Sequence, residues 1–374
     1  MIYLDYASTT PVDEEVLQSY QNVLSKYFAN SESLYSLGVE AANLLEKSRQ
    51  QTASLLSVAP NEVIFTSGAS EANSLAIKGV AFKYQKYGKH LITTKIEHSS
   101  VLHTFEQLET LFGFEVTYLG VDVNGLISLE ELKQALRKDT ILCSIMWVNN
   151  EIGTIEPIEE IVKLVKNLPR CFLHVDAVQA VGKISIDLSG IDLVTFSAHK
   201  IYGLKGSGVL VKKQNIQLVP LISGGQQEQG IRGGTSNVAV HIAFAKALRL
   251  ALEKQKKRNE HVRELNLYLR EGLDKLLQVV INSPVDASPY ILSFSCLKLP
   301  SEVHLNALDS EGVYVSAQST CGSKSKMSYV LEAMNLPSAV KRGVIRISLS
   351  YQTTYEEIDV LLTKVEENMR KYGV

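Results

Sequence analysis

The chain is poor in the features that mark several protein classes. Four cysteines in 374 residues are too few for a disulfide framework, and no two form a CxxC pair, so neither a stapled fold nor a cysteine zinc site is expected. No apolar run approaches the ~20 residues of a membrane-spanning helix. Charge of neither sign dominates: 38 Lys and Arg stand against 40 Asp and Glu, a formal net charge of -2. That balance argues against nucleic acid as a direct partner, which would call for a basic excess or stripe. The short basic cluster Lys254–Arg258 (KQKKR) falls in a helical stretch and reads as a solvated face. The first residues, MIYLDYASTTP, lack the basic and apolar regions of a secretory signal, so a cytoplasmic, reducing setting is expected. There is no low-complexity segment and no internal repeat.

What is present is a core-forming chain. Apolar residues make up 45% of it, enough for two units or for a large one with an appendage. Short apolar, β-branched runs alternate with longer amphipathic ones. Strands are predicted at Val63–Thr66, His90–Thr94, Glu115–Leu119, Ile141–Val148, Phe172–Val175, Leu193–Phe196 and Gly208–Val211. Helices are predicted at Ser36–Ser57, Ser70–Tyr87, Ser99–Leu111, Ser128–Leu136, Ile158–Leu168 and Val238–Leu277. This order predicts an α/β layer with a mainly parallel sheet, whose ligands gather at the carboxyl ends of the strands. Beyond the long helix, strands at Tyr290–Leu297 and Gly343–Ser350 and helices near Glu302–Glu311 and Thr354–Lys371 suggest a smaller α+β unit. The expected division is a large domain over residues 14–256 and a small one from 1–13 and 257–374, with the boundary near Lys254–Asn259.

Three strand ends carry chemistry. In VIFTSGASEANSLA, a strand runs through Gly68 into a helix whose first N–H groups and the Ser70 hydroxyl suit a phosphate. In FLHVDAVQ, Asp176 ends an apolar strand, where a carboxylate can hold a pyridine nitrogen protonated. In LVTFSAHKIYGLKGSG, Lys200 follows another such strand; desolvation and nearby cations would lower its pKa, so that its neutral amine could attack an aldehyde. Each has a plainer reading taken singly: a capped helix, a capping Asp, a surface lysine in a turn. Together they point to pyridoxal 5′-phosphate (PLP) bound to Lys200 as a Schiff base. Asp176 lies 24 residues before Lys200, about one crossover, so the two could reach opposite ends of one ring.

The motifs YLDYASTTP, TSGASEANSLAI, EHSSV, NNEIG, HVDAVQ, SAHKIYGLKG, RGGT, VSAQSTCGSK and IRISL occur in the order and near the spacings of the cysteine desulfurases. The chain therefore resembles that family, fold-type I PLP enzymes of the class V aminotransferase group, over nearly its whole length. The resemblance implies a large domain with a mainly parallel seven-stranded sheet. It implies Lys200 as the Schiff-base lysine, Asp176 on the pyridine nitrogen and Gln179 on the ring phenolate. His98 would stack on the ring and shuttle protons. Ser70, Ser197 and His199 would bind the phosphate, with Ala69 and Asn150 also against the cofactor. Thr235 would reach the phosphate of a neighbouring subunit, which implies a homodimer. Asn150 and Arg346 would hold the substrate carboxylate, a task that suits Arg because its planar fork bonds a carboxylate bidentately.

The cysteines separate by context. Cys143, Cys171 and Cys296 lie in or against apolar strands and read as buried apolar groups. Cys321 sits in SAQSTCGSKSKMS, a small, polar run that reads as an exposed mobile loop, with Lys324 and Lys326 favouring the thiolate. The resemblance makes Cys321 the thiol that takes sulfur from L-cysteine as a persulfide, leaves L-alanine, and passes sulfur to an acceptor protein. Rival readings are a selenocysteine lyase, a cystine lyase or an aminotransferase of the same fold, or a non-catalytic partner retaining it. Tyr6, the NSESLY segment to Tyr35, Gly233 and Gln318 depart from the family pattern, which leaves contacts at the site mouth open. The end of the chain at Val374, soon after the last predicted helix, suggests a dedicated acceptor such as a tRNA-thiolation enzyme rather than a general iron–sulfur scaffold.

Overall fold

The computed structural model describes residues 1–317 and 328–373. In chain order, β1 (Ile2–Tyr3) leads to helices α1 (Glu14–Lys26) and α2 (Ser36–Leu55), then to β2 (Val63–Thr66), α3 (Ala69–Tyr84), β3 (His90–Thr94), α4 (Ser99–Phe112) and β4 (Glu115–Leu119). Next come α5 (Leu129–Ala135), β5 (Thr140–Ser144), α6 (Ile158–Val165), β6 (Phe172–Asp176), β7 (Leu193–Ser197) and β8 (Gly208–Lys212). The remainder is α7 (Val238–Glu253), α8 (Gln255–Asp274), β9 (Val279–Ile281), β10 (Ile291–Cys296), α9 (Ser301–Ser310), β11 (Val313–Tyr314), α10 (Tyr329–Ala333), α11 (Ser338–Arg342), β12 (Val344–Ser348) and α12 (Tyr355–Tyr372).

Seven strands form one sheet in the order β2-β8-β7-β6-β5-β3-β4. All pairings are parallel except those of β8, which runs antiparallel to both its neighbours. Alternate residues point to opposite faces: Phe65, Ile92, Val194 and Val209 pack with Phe244 and Leu248 of α7 and Ile161 of α6, whereas Ile64, Leu91, Leu193 and Leu210 pack with α3 and α4. Both faces are therefore covered, which is why these strands read as largely apolar runs rather than as a strict apolar–polar alternation. A second, three-stranded antiparallel sheet, β12-β10-β9, has its own core. Val262, Leu265, Leu269 and Leu273 of α8 and Ile358, Leu361 and Val365 of α12 recur at helical spacing and close over Leu292, Phe294, Ile345 and Ile347.

The N-terminal segment joins the two cores. Leu4 and Ala7 belong to the smaller one, and the Ala7 amide donates to Ser348 Oγ at 2.9 Å. The Thr10 amide then donates to the His199 carbonyl at 3.0 Å, beside β7.

Two expectations need correction. The predicted helix Val238–Leu277 is two helices, broken at Lys254 (φ -98°, ψ 0°) with no Gly or Pro to announce it. Arg258 is not on a solvated face: it is buried, with its guanidinium 3.8 Å from the ring centroid of Tyr351. The three described cysteines are free and buried, as expected.

A buried histidine yields a pH prediction. His241 of α7 stacks on Phe65 with centroids 4.2 Å apart, and burial, with Arg49 and Arg232 nearby, pushes its pKa down to about 3. The unfolded chain binds this proton below about pH 6.5 and the folded chain does not, so acidification favours unfolding, at about 1.4 kcal/mol per pH unit. His241→Phe should match wild type in melting temperature at pH 7 and exceed it progressively between pH 6.5 and 4. Parallel melting-temperature profiles over that range would contradict the assignment.

Candidate active site

A cleft of about 500 Å³ opens where the carboxyl ends of the parallel strands meet the N-terminal segment. Its lining includes Ala69, Ser70, His98, Asn150, Asp176, Gln179, Ser197, His199, Lys200 and Arg346. Sequence distances of up to 339 residues, from Ala7 to Arg346, thus collapse into one cavity.

At one end lies the start of α3. Gly68 has φ 153° and ψ 178°, a conformation that needs glycine, and it carries the chain from β2 into the helix. A Cβ on Gly208 would lie 2.7 Å from the Gly68 backbone, so position 208 must stay bare for the end of β2 to pass this close to β8. The first N–H groups of α3 have no intrahelical acceptor, and Ala69 and Ser70 face the cleft. The neighbouring Glu71 carboxylate is occupied by the Ser67 amide at 2.8 Å and Arg232 Nε at 2.9 Å, which offsets its charge beside an anion site.

Lys200 ends the single turn after β7. Its Nζ donates to the carbonyls of Ala7 at 2.6 Å and Ser8 at 2.7 Å. Asp176, the last residue of β6, accepts from Asn73 Nδ2 at 2.8 Å and from the Val178 amide at 3.0 Å. His98 is the N-cap of α4, as its plainer reading would have it, but it also faces the cleft. Its Nδ1 accepts from the Ser100 amide at 3.2 Å, which leaves Nε2 to carry the ring proton. Burial above all, with Lys200 adding to it and Asp176 opposing, lowers the pKa of His98. Burial, then Lys200 and Lys205, push His199 down to about 4, so its ring is neutral near pH 7 and can serve as a hydrogen-bond donor rather than a cation.

Arg346 of β12 enters from the smaller sheet. It donates to the Asn150 carbonyl at 2.8 Å, to Asp5 Oδ1 at 2.7 Å and to Ser8 Oγ at 2.7 Å. Among the described residues its Nε is buried without a partner, as is Asn150 Oδ1. Asn150 is presented by a tight turn in which Asn149 Oδ1 accepts from the amides of Glu151 and Ile152 at 2.8 and 3.0 Å.

Cys321 lies outside the described residues, but both flanks of its segment are described. Before it, Ser316 pairs with Arg346 through backbone bonds of 2.6 and 3.2 Å. After it, Ser328 Oγ donates to Glu151 Oε2 at 2.5 Å, next to Asn150. Thr235 is exposed and outside its own chain's cleft. Tyr6 and Tyr35 are also outside it; Tyr6 lines a small separate cavity behind Lys200.

Sequence reasoning missed Lys183, whose Nζ donates to Gln179 Oε1 at 2.5 Å, and it missed the Asp5–Arg346 ion pair. The four-residue spacing of Gln179 and Lys183 in a turn was the available signal for the first; nothing local marks the second.

The fit to PLP is testable here. The cleft is lined by amide and hydroxyl donors at a helix start, a carboxylate and a lysine amine, which is the donor set that a phosphate, a pyridine nitrogen and an aldehyde require.

Comparison with known proteins agrees. Residues 2–361 match the family described as aminotransferase class-V. The chain is 44% identical over 375 residues to the cysteine desulfurase IscS of Dictyoglomus turgidum, covering 99% of this chain and 95% of that one. It is 40% identical over 376 residues to the putative cysteine desulfurase IscS 1 of Bacillus subtilis, covering 99% of each. A solved NifS-like protein superposes with a TM-score of 0.94 at 38% identity over 99% of both chains. A structure described as SspA in complex with cysteine superposes at 0.82 with 36% identity, over 95% of this chain and 100% of that one. The chain belongs to the class-V aminotransferase family, and within it is a PLP-dependent cysteine desulfurase.

Proposed function

We propose that this enzyme converts L-cysteine to L-alanine with Lys200 and Cys321 as its reacting groups, leaving a persulfide on Cys321 for an acceptor protein. The observation that carries this reading is the junction at Arg346: one residue faces the cleft, touches the Asn150 turn and pairs with Ser316, just before the Cys321 segment. The relative solved with cysteine supports the choice of substrate.

Bound PLP supplies an aldehyde that condenses with amines and a pyridinium ring that takes up the electron pair left at the substrate α-carbon. The chain's part is to position and to move protons. Ala69, Ser70, Ser197 and His199 would hold the phosphate end, Asp176 would keep a proton on the pyridine nitrogen, and Gln179 would bond the phenolate. Arg346 and Asn150 orient the substrate carboxylate. The Lys200 amine would take the α-proton, and His98 would lie against the cofactor and relay protons. The Cys321 thiolate attacks the substrate sulfur: an S–S bond forms, the C–S bond breaks, and the electron pair returns to carbon with a proton. The sum is cysteine plus thiol giving alanine plus persulfide, so no outside oxidant is required.

The same reading includes a homodimer. Thr235 is free to reach a neighbour's phosphate, and exposed apolar side chains such as Phe28 and Leu34, 77% and 95% accessible, are surfaces a second copy could cover. It divides the chain into domains 14–256 and 1–13 with 257–374, each built on its own core, and places the enzyme in the cytoplasm, where its free thiols stay reduced. The acceptor is an iron–sulfur scaffold or a thiolation enzyme.

Two experiments test this. With L-cysteine, wild type should form alanine and a protein-bound persulfide in equal first-turnover amounts, whereas Cys321→Ala should form no persulfide and lose multiple-turnover alanine; alanine and sulfide at the wild-type rate from Cys321→Ala would eliminate the persulfide route. Arg346→Lys should raise KM for L-cysteine about 10- to 100-fold through loss of the bidentate carboxylate contact. An unchanged KM would remove Arg346 from the substrate site.

A further inference from the structure

The turn that follows β6 carries two side chains on one face. The Ala180 and Val181 amides donate to the Ala177 carbonyl, and the Lys183 and Ile184 amides donate to the Ala180 carbonyl, so residues 177–184 wind as helical turns and set Gln179 and Lys183 four apart. Gln179 faces the cleft. Lys183 lies behind it, 8% accessible, and makes no ion pair among the described residues. Its Nζ donates to Gln179 Oε1 at 2.5 Å and sits 5.9 Å from the Tyr290 ring centroid, and its own carbonyl accepts from Asn259 Nδ2 of α8 at 2.7 Å. Burial, with Lys200 and Arg346 contributing, pushes the Lys183 pKa down to about 7.

An unpaired buried amine is an expensive way to fill space that Met or Leu would fill without penalty. What Lys183 adds is direction. A glutamine amide has one acceptor end and one donor end of nearly the same shape, and only its partners decide which way it faces. The charged Lys183 ammonium can only donate, so in that form Oε1 must face it and Nε2 must face away. Nε2 then donates to the Ala7 carbonyl at 2.9 Å, and that same carbonyl accepts from Lys200 Nζ.

We propose that Lys183 is a positioning residue that fixes the amide orientation of Gln179 and, through the shared Ala7 carbonyl, the place of the Lys200 amine while it is not bonded to the cofactor. Lys183 touches neither substrate nor cofactor in this role. The inference rests on the reading of Gln179 and Lys200 as cofactor residues, so its test must separate the two.

The informative variant is Lys183→Met, which keeps length and removes the donor. It is read beside Gln179→Leu and the double variant by three measurements: melting temperature without cofactor, PLP affinity by equilibrium dialysis, and the pH midpoint of the bound cofactor's visible absorption. We expect Lys183→Met to melt no lower than wild type, to bind PLP about tenfold more weakly, and to move the absorption midpoint in the direction that Gln179→Leu moves it. The double variant should be no worse than Gln179→Leu alone, because both act through one amide. Lys183→Met with wild-type affinity and midpoint, or losses that add in the double variant, would overturn the inference while leaving the cofactor reading intact. Failure of wild type to bind PLP, or of Gln179→Leu to move either readout, would instead overturn the cofactor reading and this inference with it. A holoenzyme crystal structure decides the matter even if Lys183→Met does not fold: Nζ within hydrogen-bond reach of Gln179 Oε1 supports the inference, and Nζ turned away overturns it.

Discussion

The Ala7 and Ser8 carbonyls accept from the Lys200 amine at 2.6 and 2.7 Å, and this contact, open to the amine only before it bonds the cofactor, marks where the two cores meet to form the site. Lys200 belongs to the large sheet, whereas Ala7 is packed in the smaller core and tied to Ser348 of β12. Ser8 also accepts from Arg346, whose guanidinium is held by Asp5. The N-terminal segment is therefore a strap between two cores, and the residues that would hold cofactor and substrate meet across it. A lysine tail is flexible, and two backbone acceptors on the strap confine it where β7 ends.

Electrostatics follow from this assembly. Lys200, Lys205 and Arg346 line the cleft, with Lys183 directly behind it. Against them stand Asp176, held by Asn73, and Asp5, paired with Arg346. His98 and His199 are kept from adding positive charge, because burial and the neighbouring lysine lower both pKa values. The result suits two anionic groups, the phosphate and the carboxylate proposed above, in a cleft whose imidazoles add little positive charge.

Much of this was legible in the sequence because its signals are local. Strands covered on both faces are largely apolar, so β2, β3, β5, β6, β7 and β8 announced themselves, and Asp176 and Lys200 stood out as charges ending such runs. What was hidden depends on contacts between distant segments. Backbone carbonyls such as those of Ala7 and Ser8 have no sequence signature at all. Arg258 reads as one more charge in a basic cluster, yet Tyr351, 93 residues later, buries it. The break at Lys254 has no helix-breaking residue; packing of α7 on the large sheet and of α8 on the smaller core sets it. Tyr6, which differs from the family pattern, turns out to lie behind Lys200 rather than in the cleft.

The central claim is that Lys200 alone bonds the cofactor, and reductive trapping tests it most directly. The holoenzyme is treated with borohydride, which makes the lysine–cofactor bond permanent, then digested and weighed by mass spectrometry. The account predicts one modified peptide, with the pyridoxyl mass on Lys200, and none from Lys200→Ala. A pyridoxyl group on Lys183 or Lys205, or an unmodified Lys200 in protein that retains the visible band, would contradict it.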